Sequence, residues 1–197
     1  MGLLKSVAAG LLALPYRLRL GHLGRRPRLF PRVLLTGGRR IRLGDDSRVA
    51  SYAALIAQPG GRIEIGNGCE IASFARLDAD VGTIVIGDRS SVNPFSLLNG
   101  FGDLRIGSDV RIASHCVILS STHGHEDPAT SIREQGIEKQ ATSIGDDVWL
   151  GAHVVVMGGI TIGAHCVVGA GSVVTSDIPP FAVAVGAPAR VIRMRNA

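Results

Sequence analysis

Aliphatic residues recur at every sixth position along most of the 197-residue chain. The longest unbroken run is Ile144, Leu150, Val156, Ile162, Val168 and Val174. Shorter runs have the same spacing: Leu43, Val49 and Leu55; Ile65, Ile71 and Leu77; Ile86 and Val92; Ile106, Ile112 and Ile118. A period of six matches neither the 3.6-residue period of a helix nor the two-residue period of a lone strand. It is typical of a β-solenoid, whose coils have repeated flat faces, and it predicts an all-β fold.

The other positions of the six-residue unit also follow a pattern. The fourth position after the aliphatic residue is small, and Cys69, Cys116 and Cys166 occupy it. We therefore predict that these cysteines are buried core residues, since neither a disulfide nor a zinc spacing is present. Three histidines stand three positions after a repeat aliphatic, which predicts a solvent-facing location for His115, His153 and His165.

The six-residue period fails in places that we expect to carry function. After Ile118 the next aliphatic residue of the pattern is Ile144, and the polar residues 119–143 between them are aperiodic. Long loops in compact domains are usually functional, so this segment is predicted to be an active-site loop. A smaller irregularity lies at 93–103. We expect a solenoid domain at 41–176, preceded by an N-terminal arm at 1–40 and followed by an extended C-terminal tail at 177–197.

Charge is distributed unevenly along the chain. Residues 1–42 contain ten basic residues and no acidic one, whereas the rest of the chain contains eleven basic and sixteen acidic residues. The apolar stretch at 3–14 predicts a short N-terminal helix, too short to span a bilayer. The arm at 1–32 could rest on an anionic membrane, or it could pack on the solenoid or on a neighbouring subunit. The expected location is the cytoplasm, with peripheral contact at the inner membrane as an option, and no nucleic-acid partner is expected.

Four sequence landmarks lie in order within residues 144–193: DDVWLG, GAGSVVT, DIPP and VGAPARVIR. With them, residues 41–193 resemble the hexapeptide-repeat acyltransferases, most closely the branch of galactoside, maltose and xenobiotic acetyltransferases and polysaccharide O-acetyltransferases. The resemblance implies a left-handed parallel β-helix and a homotrimer with active sites between subunits. It also implies acetyl-CoA as the acyl donor and no metal.

Two histidines stand at the mouth of the aperiodic loop, within SSTHGHEDP. Transfer of an acyl group to a hydroxyl needs a base, and the imidazole group titrates near neutral pH. The resemblance places the catalytic base at His123, seventeen residues after Ile106. His125 is the alternative base and otherwise a substrate-binding residue. Glu126 and Asp127 are ordinary solvated loop residues in one interpretation, and in the alternative one of them orients the imidazole.

The resemblance assigns further residues to the acceptor and to coenzyme A. Asn93 matches an acceptor-sugar asparagine, although an Asn turn before Pro94 is an equal alternative. No residue cleanly matches the family's acidic acceptor-binding position, because Asn99 and Asp103 are out of register. The residues that match the coenzyme A site are Trp149, Ala152, Ala170, Thr175, Arg190 and Arg193. Ser176 replaces a lysine that often follows the threonine, which removes one phosphate contact.

The sequence therefore predicts an acetyl-CoA-dependent O-acetyltransferase that acts on a hydroxyl of a sugar or a cell-surface polysaccharide. The predicted reaction is direct transfer with His123 as general base. Alternatives are a xenobiotic or small-molecule acetyltransferase and a β-helix scaffold without activity. A zinc enzyme of the γ-carbonic anhydrase type is disfavoured, because His115, His123 and His125 do not match the spacing of its ligands.

Overall fold

Three parallel β-sheets form the faces of a solenoid in the computed structural model, which describes residue 16 and residues 18–195. Sheet 1 contains His22–Leu23, Ile41–Leu43, Arg62–Ile65, Thr83–Ile86, Leu104–Ile106, Thr142–Ile144 and Thr161–Ile162. Sheet 2 contains Arg28–Leu29, Arg48–Val49, Glu70–Ile71, Ser91–Val92, Arg111–Ile112, Trp149–Leu150, Val167–Val168, Ala182–Gly186 and Ala189–Met194. Sheet 3 contains Leu34–Thr36, Ala54–Ala57, Arg76–Asp80, Leu97–Asn99, Val117–Ile118, Val155–Val156 and Val173–Val174. Successive strands pass from sheet 1 to sheet 2 to sheet 3, so three strands complete one coil.

The strands pair in a register that stacks the repeat aliphatics on one another. Leu43, for example, lies opposite Leu23 in the preceding coil and Ile65 in the following one. Ile71 and Leu77, on the other two faces of the same coil as Ile65, are fully buried. Burial of each such side chain stabilises the fold by roughly 1.5–3 kcal/mol relative to exposure. The core is thus a column of aliphatic layers, and the all-β prediction is confirmed.

The first coil begins earlier than residue 41, where we expected the solenoid to start. His22–Leu23, Arg28–Leu29 and Leu34–Thr36 each pair with a strand of the next coil. Their buried or half-buried leucines are themselves six residues apart, at positions 23, 29 and 35. The 3₁₀ turn Gly38–Arg40 then lengthens the step to Leu43 and interrupts the period. Residues 22–40 of the predicted arm therefore belong to the solenoid, while the helix predicted at 3–14 lies outside the described residues.

Extra residues are accommodated mainly at the corner between sheets 3 and 1. Residues 119–143 leave the solenoid there and form an antiparallel pair, Ser121–His123 with Ile137–Lys139, joined through the helical turn Ile132–Gln135. The irregularity at 93–103 is less pronounced, because Leu97–Asn99 stays in sheet 3 and only the following corner is wider. The interruptions of the period therefore lengthen corners without breaking the coil.

The C-terminal segment folds back on the solenoid, which differs from the extended tail that we expected. Ala182–Gly186 and Ala189–Met194 form an antiparallel hairpin, and Val183 pairs with Val167 at the edge of sheet 2. The Arg195 guanidinium donates to the His165 carbonyl oxygen at 2.9 Å. This hairpin covers the last regular strand of sheet 2.

The other two corners carry residues in the left-handed backbone region. At the charged corner, between sheets 1 and 2, φ lies between 50° and 63° for Arg26, Asp46, Gly68, Arg89, Asp109, Asp147 and His165. At the aromatic corner, between sheets 2 and 3, φ lies between 60° and 71° for Arg32, Tyr52, Phe74, Phe95, His115, His153 and Gly171. This region costs a residue with a side chain about 1–2 kcal/mol, so contacts along each column must offset the cost.

The cysteines occupy the buried positions that the repeat predicts. Each thiol contacts a backbone carbonyl oxygen. The Sγ of Cys116, for example, lies 3.2 Å from the carbonyl oxygen of Gly151. Burial raises the pKa of all three thiols, so they remain protonated at neutral pH. Within the described part of the chain, no helix has the length and apolar character needed to cross a membrane.

Candidate active site

The hairpin at 121–139 presents the histidine that we expected to be the base. His123 ends the strand Ser121–His123, lies opposite Ile137, and is exposed. Among the described residues, no side chain or backbone group forms a hydrogen bond with its ring. A β-strand position fixes the backbone of His123, while both ring nitrogens remain available to a substrate.

The second histidine of the loop is held by the first. Nδ1 of His125 lies 2.9 Å from the carbonyl oxygen of His123, which can only accept, so Nδ1 carries the proton. This hydrogen bond raises the pKa of His125, and the nearby Glu126 carboxylate raises it further. Nε2 of His125 and Oε1 of Glu126 are 3.5 Å apart. His125 therefore supports the strand end that carries His123.

Neither Glu126 nor Asp127 forms a hydrogen bond with the His123 ring among the described residues, which agrees with the alternative that both are ordinary loop residues. Glu126 lies against His125 instead. The Asp127 carboxylate accepts from the Thr130 hydroxyl at 2.7 Å and the Ala129 N–H at 2.9 Å, and these bonds lower its pKa. Asp127 therefore closes a turn in the loop, and the strand geometry is what positions the base.

Asn93 stands at the aromatic corner, half-buried, one residue after the buried strand Ser91–Val92. Its side-chain NH₂ donates to the Ile112 carbonyl oxygen at 2.8 Å. One N–H of this amide and the side-chain oxygen have no partner among the described residues. The amide thus braces the corner, as the turn alternative implies, and still offers a donor and an acceptor outward.

The residues that the sequence placed out of register have separate positions. The side-chain oxygen of Asn99 lies 3.4 Å from the Ser121 hydroxyl, at the base of the hairpin that carries His123. Asp103 accepts from the Thr83 N–H at 2.8 Å and so joins two coils. Asn99 is therefore the polar residue that contacts the start of this hairpin, a position that spacing alone did not indicate.

The residues expected to bind coenzyme A lie on the last two coils. Trp149 projects from the outer face of sheet 2 and is 55% exposed, so its ring is accessible to a ligand. Ala152 and Ala170 occupy equivalent positions of adjacent coils at the aromatic corner, where the Gly171 N–H donates to the Ala152 carbonyl oxygen at 2.8 Å. Thr175 is exposed directly after Val173–Val174.

The rings at the aromatic corner stack in one column from Tyr52 to His153, which we call the ring column. A gap at the end of this column adjoins Ala152 and Ala170. His115 and His153 stack with ring centroids 4.8 Å apart, and the next position of the column is Gly171. A Cβ atom added at Gly171 would meet nothing within 4 Å. The outer face of the His153 ring and the small residues around it therefore form an open groove.

Arg190 and Arg193 lie on the second strand of the C-terminal hairpin and are exposed. Each donates only to a neighbouring carbonyl oxygen, Arg190 to Ala189 at 2.8 Å and Arg193 to Met194 at 3.3 Å. Neither takes part in an ion pair of the described residues, so both guanidinium groups are free to bind an anion. Among the same residues, no three His, Cys, Asp or Glu side chains cluster as metal ligands would.

These residues do not form one site within a single chain. The hairpin with His123 leaves at the corner between sheets 3 and 1, whereas Asn93, Ala152 and Ala170 lie at the aromatic corner. Sheet 3 separates the two groups. The chain therefore carries a possible base and a possible cofactor wall on opposite edges of one face.

The fold and these two half-sites define a parallel β-helix protein with a histidine-bearing loop, and the comparisons agree. Residues 141–176 match the family model "Bacterial transferase hexapeptide (six repeats)". Galactoside O-acetyltransferase of Escherichia coli is 45% identical over 94 residues, which are 46% of this chain and 44% of that protein. The E. coli protein named "Putative lipopolysaccharide biosynthesis O-acetyl transferase WbbJ" is 38% identical over 122 residues, which are 58% of this chain and 62% of that protein.

A solved structure shares the fold along nearly the whole chain. The N-acyltransferase AntD of Bacillus cereus superposes with a TM-score of 0.65 at 18% identity, covering 93% of this chain and 89% of that one. Its crystal contains dTDP-4-amino-4,6-dideoxyglucose and coenzyme A. The chain therefore has a left-handed parallel β-helix fold, and residues 141–176 resemble the hexapeptide repeats of bacterial transferases. It spans less than two thirds of the length of both E. coli relatives.

Proposed function

We propose that the protein transfers an acetyl group from acetyl-CoA to a hydroxyl of a sugar or cell-surface polysaccharide. The observation that carries the proposal is His123, whose backbone is held in a strand and whose ring nitrogens have no hydrogen-bond partner in the described part of the chain. Such an imidazole can accept the proton of a bound hydroxyl without first breaking an internal hydrogen bond. The named activities of the E. coli relatives support an oxygen acceptor.

In the proposed reaction, His123 takes the hydroxyl proton while the acceptor oxygen attacks the thioester carbonyl carbon. The resulting tetrahedral oxyanion needs a hydrogen-bond donor, and the free N–H of the Asn93 amide is the candidate. When the intermediate collapses, the carbon–sulfur bond breaks and the imidazolium returns its proton to the thiolate of coenzyme A. The buried, protonated cysteines favour this direct route over an acyl-thioester on the protein.

The donor would lie along the aromatic corner and the C-terminal hairpin. The groove beside His153 can take the narrow pantetheine chain between Ala152 and Ala170, with Trp149 on the adjoining outer face of sheet 2. Thr175 follows Val173–Val174 and so lies at the other edge of sheet 3, where it would reach a donor held by a neighbouring copy. Arg190 and Arg193 can bind the phosphates, since guanidinium groups match phosphate geometry and no acidic residue between positions 18 and 195 pairs with these two. Acetyl-CoA is thus proposed as a donor substrate, without a resident metal.

A second copy of the chain would complete the site. His123 and the donor wall flank sheet 3, so a neighbour packed against this face would bring one copy's base to the other's groove. The outer face of sheet 3 carries an apolar, half-buried row in register: Leu97, Val117, Val155 and Val173. We propose that this face lies in the subunit contact of a homotrimer, because apolar rows of this kind are usually covered.

The acceptor and location are part of the same proposal. WbbJ is named for lipopolysaccharide biosynthesis, which agrees with a saccharide acceptor, and the basic N-terminal residues suit an acceptor held at the inner membrane from the cytoplasmic side. His125 would contribute to acceptor binding through its position beside His123. A xenobiotic acceptor remains the alternative to test.

The test is release of coenzyme A from acetyl-CoA by the full chain, measured against saccharides, amino sugars and xenobiotic alcohols. We expect a saccharide hydroxyl to be the best acceptor. His123→Ala should lower kcat by about 10²–10⁴-fold, the usual contribution of a general base. His125→Ala is the matched control, with a smaller effect. The assignment of the base is wrong if His125→Ala has the larger effect. If the wild-type protein neither binds nor turns over acetyl-CoA, the alternative of a β-helix scaffold without activity is favoured.

A further inference from the structure

A cationic cleft lies on the first coil, away from both half-sites. Its volume is about 370 Å³, and its lining includes Arg19, Arg39, Arg40, Leu18 and Leu35. The three arginines are exposed, Leu18 is 89% exposed, and Leu35 is buried. Three guanidinium groups therefore surround a recess with an apolar floor and an apolar residue beside its mouth.

The arginines of the cleft differ from Arg25 and Arg26 of the same coil, because no acidic residue of the described chain pairs with them. Arg25 and Arg26 each form an ion pair of 2.7 Å with the next coil, to Asp45 and Asp46. None of the ion pairs among the described residues includes an arginine of the cleft. The Arg40 Nε–H donates to the Ala57 carbonyl oxygen at 3.3 Å, which leaves its two terminal nitrogens available. The positive charge of the cleft is thus uncompensated and partly preorganised.

We infer that this cleft binds the phosphate of an anionic lipid headgroup and holds the first coil on a membrane surface. Guanidinium groups bind phosphate oxygens in a bidentate manner, and basic clusters attract anionic leaflets. An exposed leucine beside the charges suits the boundary between headgroups and acyl chains, where an apolar residue is buried and the charges stay hydrated. A soluble phosphate would use the charges but would leave Leu18 without a role.

The cleft lies at the same corner of the solenoid as the hairpin with His123. Four parallel-strand steps of about 4.8 Å separate the first coil from the one that ends at Ile118, so the axial distance is about 19 Å. A headgroup in the cleft would hold the solenoid corner against the bilayer and bring surface-linked acceptors near the hairpin. This link with the acceptor rests on the proposed acyl transfer, whereas binding of the lipid does not.

The test measures co-sedimentation of the full chain with phosphatidylcholine vesicles that contain or lack phosphatidylglycerol, without acetyl-CoA. We expect binding only to the anionic vesicles. The triple variant Arg19→Gln, Arg39→Gln, Arg40→Gln should bind about 100-fold more weakly, given the usual contribution of a basic residue at a charged surface. The control removes the same charge from other exposed arginines without an ion pair among the described residues, as Arg105→Gln, Arg111→Gln, Arg193→Gln. It should stay within about threefold of wild type, because distant charges are screened.

Additional variants and controls distinguish binding of an anionic lipid from general electrostatic attraction and from binding of free phosphate. Leu18→Ser should weaken binding about tenfold through loss of an apolar contact, whereas Leu34→Ser, at an exposed leucine of sheet 3, should not. Melting curves check that each variant is folded. Equal binding to neutral vesicles, equal binding by the two triple variants, or release by low inorganic phosphate but not sulfate would each overturn the inference. Because no turnover is measured, failure here leaves the proposed acetyl transfer intact, and failure of that activity leaves the vesicle result standing.

Discussion

The charged corner and the aromatic corner have the same left-handed backbone conformation, but different side-chain contacts offset its cost. Both place residues with side chains in the left-handed region, coil after coil. At the charged corner, some neighbours in the column form ion pairs, as with Arg89 and Asp109 at 2.6 Å. At the aromatic corner, flat rings stack instead, with centroids 5.1 Å apart between Phe74 and Phe95. The same turn is therefore compatible with ion pairs or with stacked rings.

The difference matters because the two columns depend on solvent to different extents. Exposed ion pairs gain little, since water and salt screen them. Stacked aromatic pairs contribute about 0.5–1.5 kcal/mol beyond the area that they bury. The ring column ends at His153, because the next position is Gly171, and the open space there lies beside the proposed pantetheine channel. At the charged corner, Asp147 instead forms an ion pair with Arg195 of the C-terminal segment. Structure and proposed function thus converge on the aromatic corner.

The largest expected effect comes from filling the gap in the ring column. Gly171→His would add a ring where His153 already shows that histidine tolerates this backbone, and it would occupy the groove. The kcat/KM for acetyl-CoA should fall about 100-fold, the usual cost when a substrate is displaced by about 1 Å in a site. The control is Gly68→His, which makes the same change at an equally left-handed, uncrowded position of the charged corner. Equal loss in both variants would mean that the groove does not hold the donor.

The next effect compares the two columns within one coil. Phe95 stacks on both Phe74 and His115, so Phe95→Ala should lower the free energy of unfolding by about 1–3 kcal/mol. Arg89→Ala removes one exposed ion pair of the same coil and should cost less. Urea denaturation of both variants measures the difference. A larger loss for Arg89→Ala would contradict the ranking of the two corners.

The pH dependence of stability should also differ between the charged corner and the ring column. The Arg89 guanidinium holds the pKa of Asp109 below its ordinary value of 3.8. Because the folded pKa is lower than the unfolded one, this stabilisation is present above pH 3.8 and disappears as the pH falls below it. Asp109→Asn should therefore be less stable than wild type near neutral pH, and the gap should close under acid. The deficit of Phe95→Ala should persist over the same range, provided that stability is measured in matched salt.

The smallest effect concerns the cationic end of the ring column. The Tyr52 hydroxyl accepts a hydrogen bond from Arg32, whose guanidinium carbon also lies 5.5 Å from the ring centroid. Tyr52→Phe keeps the ring and its stacking while removing the hydroxyl, so the loss should be under about 0.5 kcal/mol, as for most surface changes. Thermal melting at two salt concentrations is the measurement, and a loss as large as that of Phe95→Ala would contradict the dominance of stacking.

The candidate site was predictable only in part. The resemblance to hexapeptide-repeat acyltransferases singled out His123 and the small residues at 152 and 170, because its landmarks can be counted along the repeat. It did not predict that Asp127 would close a turn, or that Asn99 would contact the base of the hairpin. Those contacts depend on the path of residues 119–143 in space, which no periodic pattern describes.

The sequence by itself determined the solenoid, its aliphatic core and the buried cysteines, because one local rule repeated from Ile144 to Val174 leaves few other ways to bury those side chains. Only the tertiary structure assigned Leu23, Leu29 and Leu35 to a first coil and aligned the ring column. The rings are separated by 22, 21, 20 and 38 residues in the chain, so no constant period joins Tyr52 to His153. The corner insertions change the length of each coil, and strand pairing alone restores the register that stacks the rings.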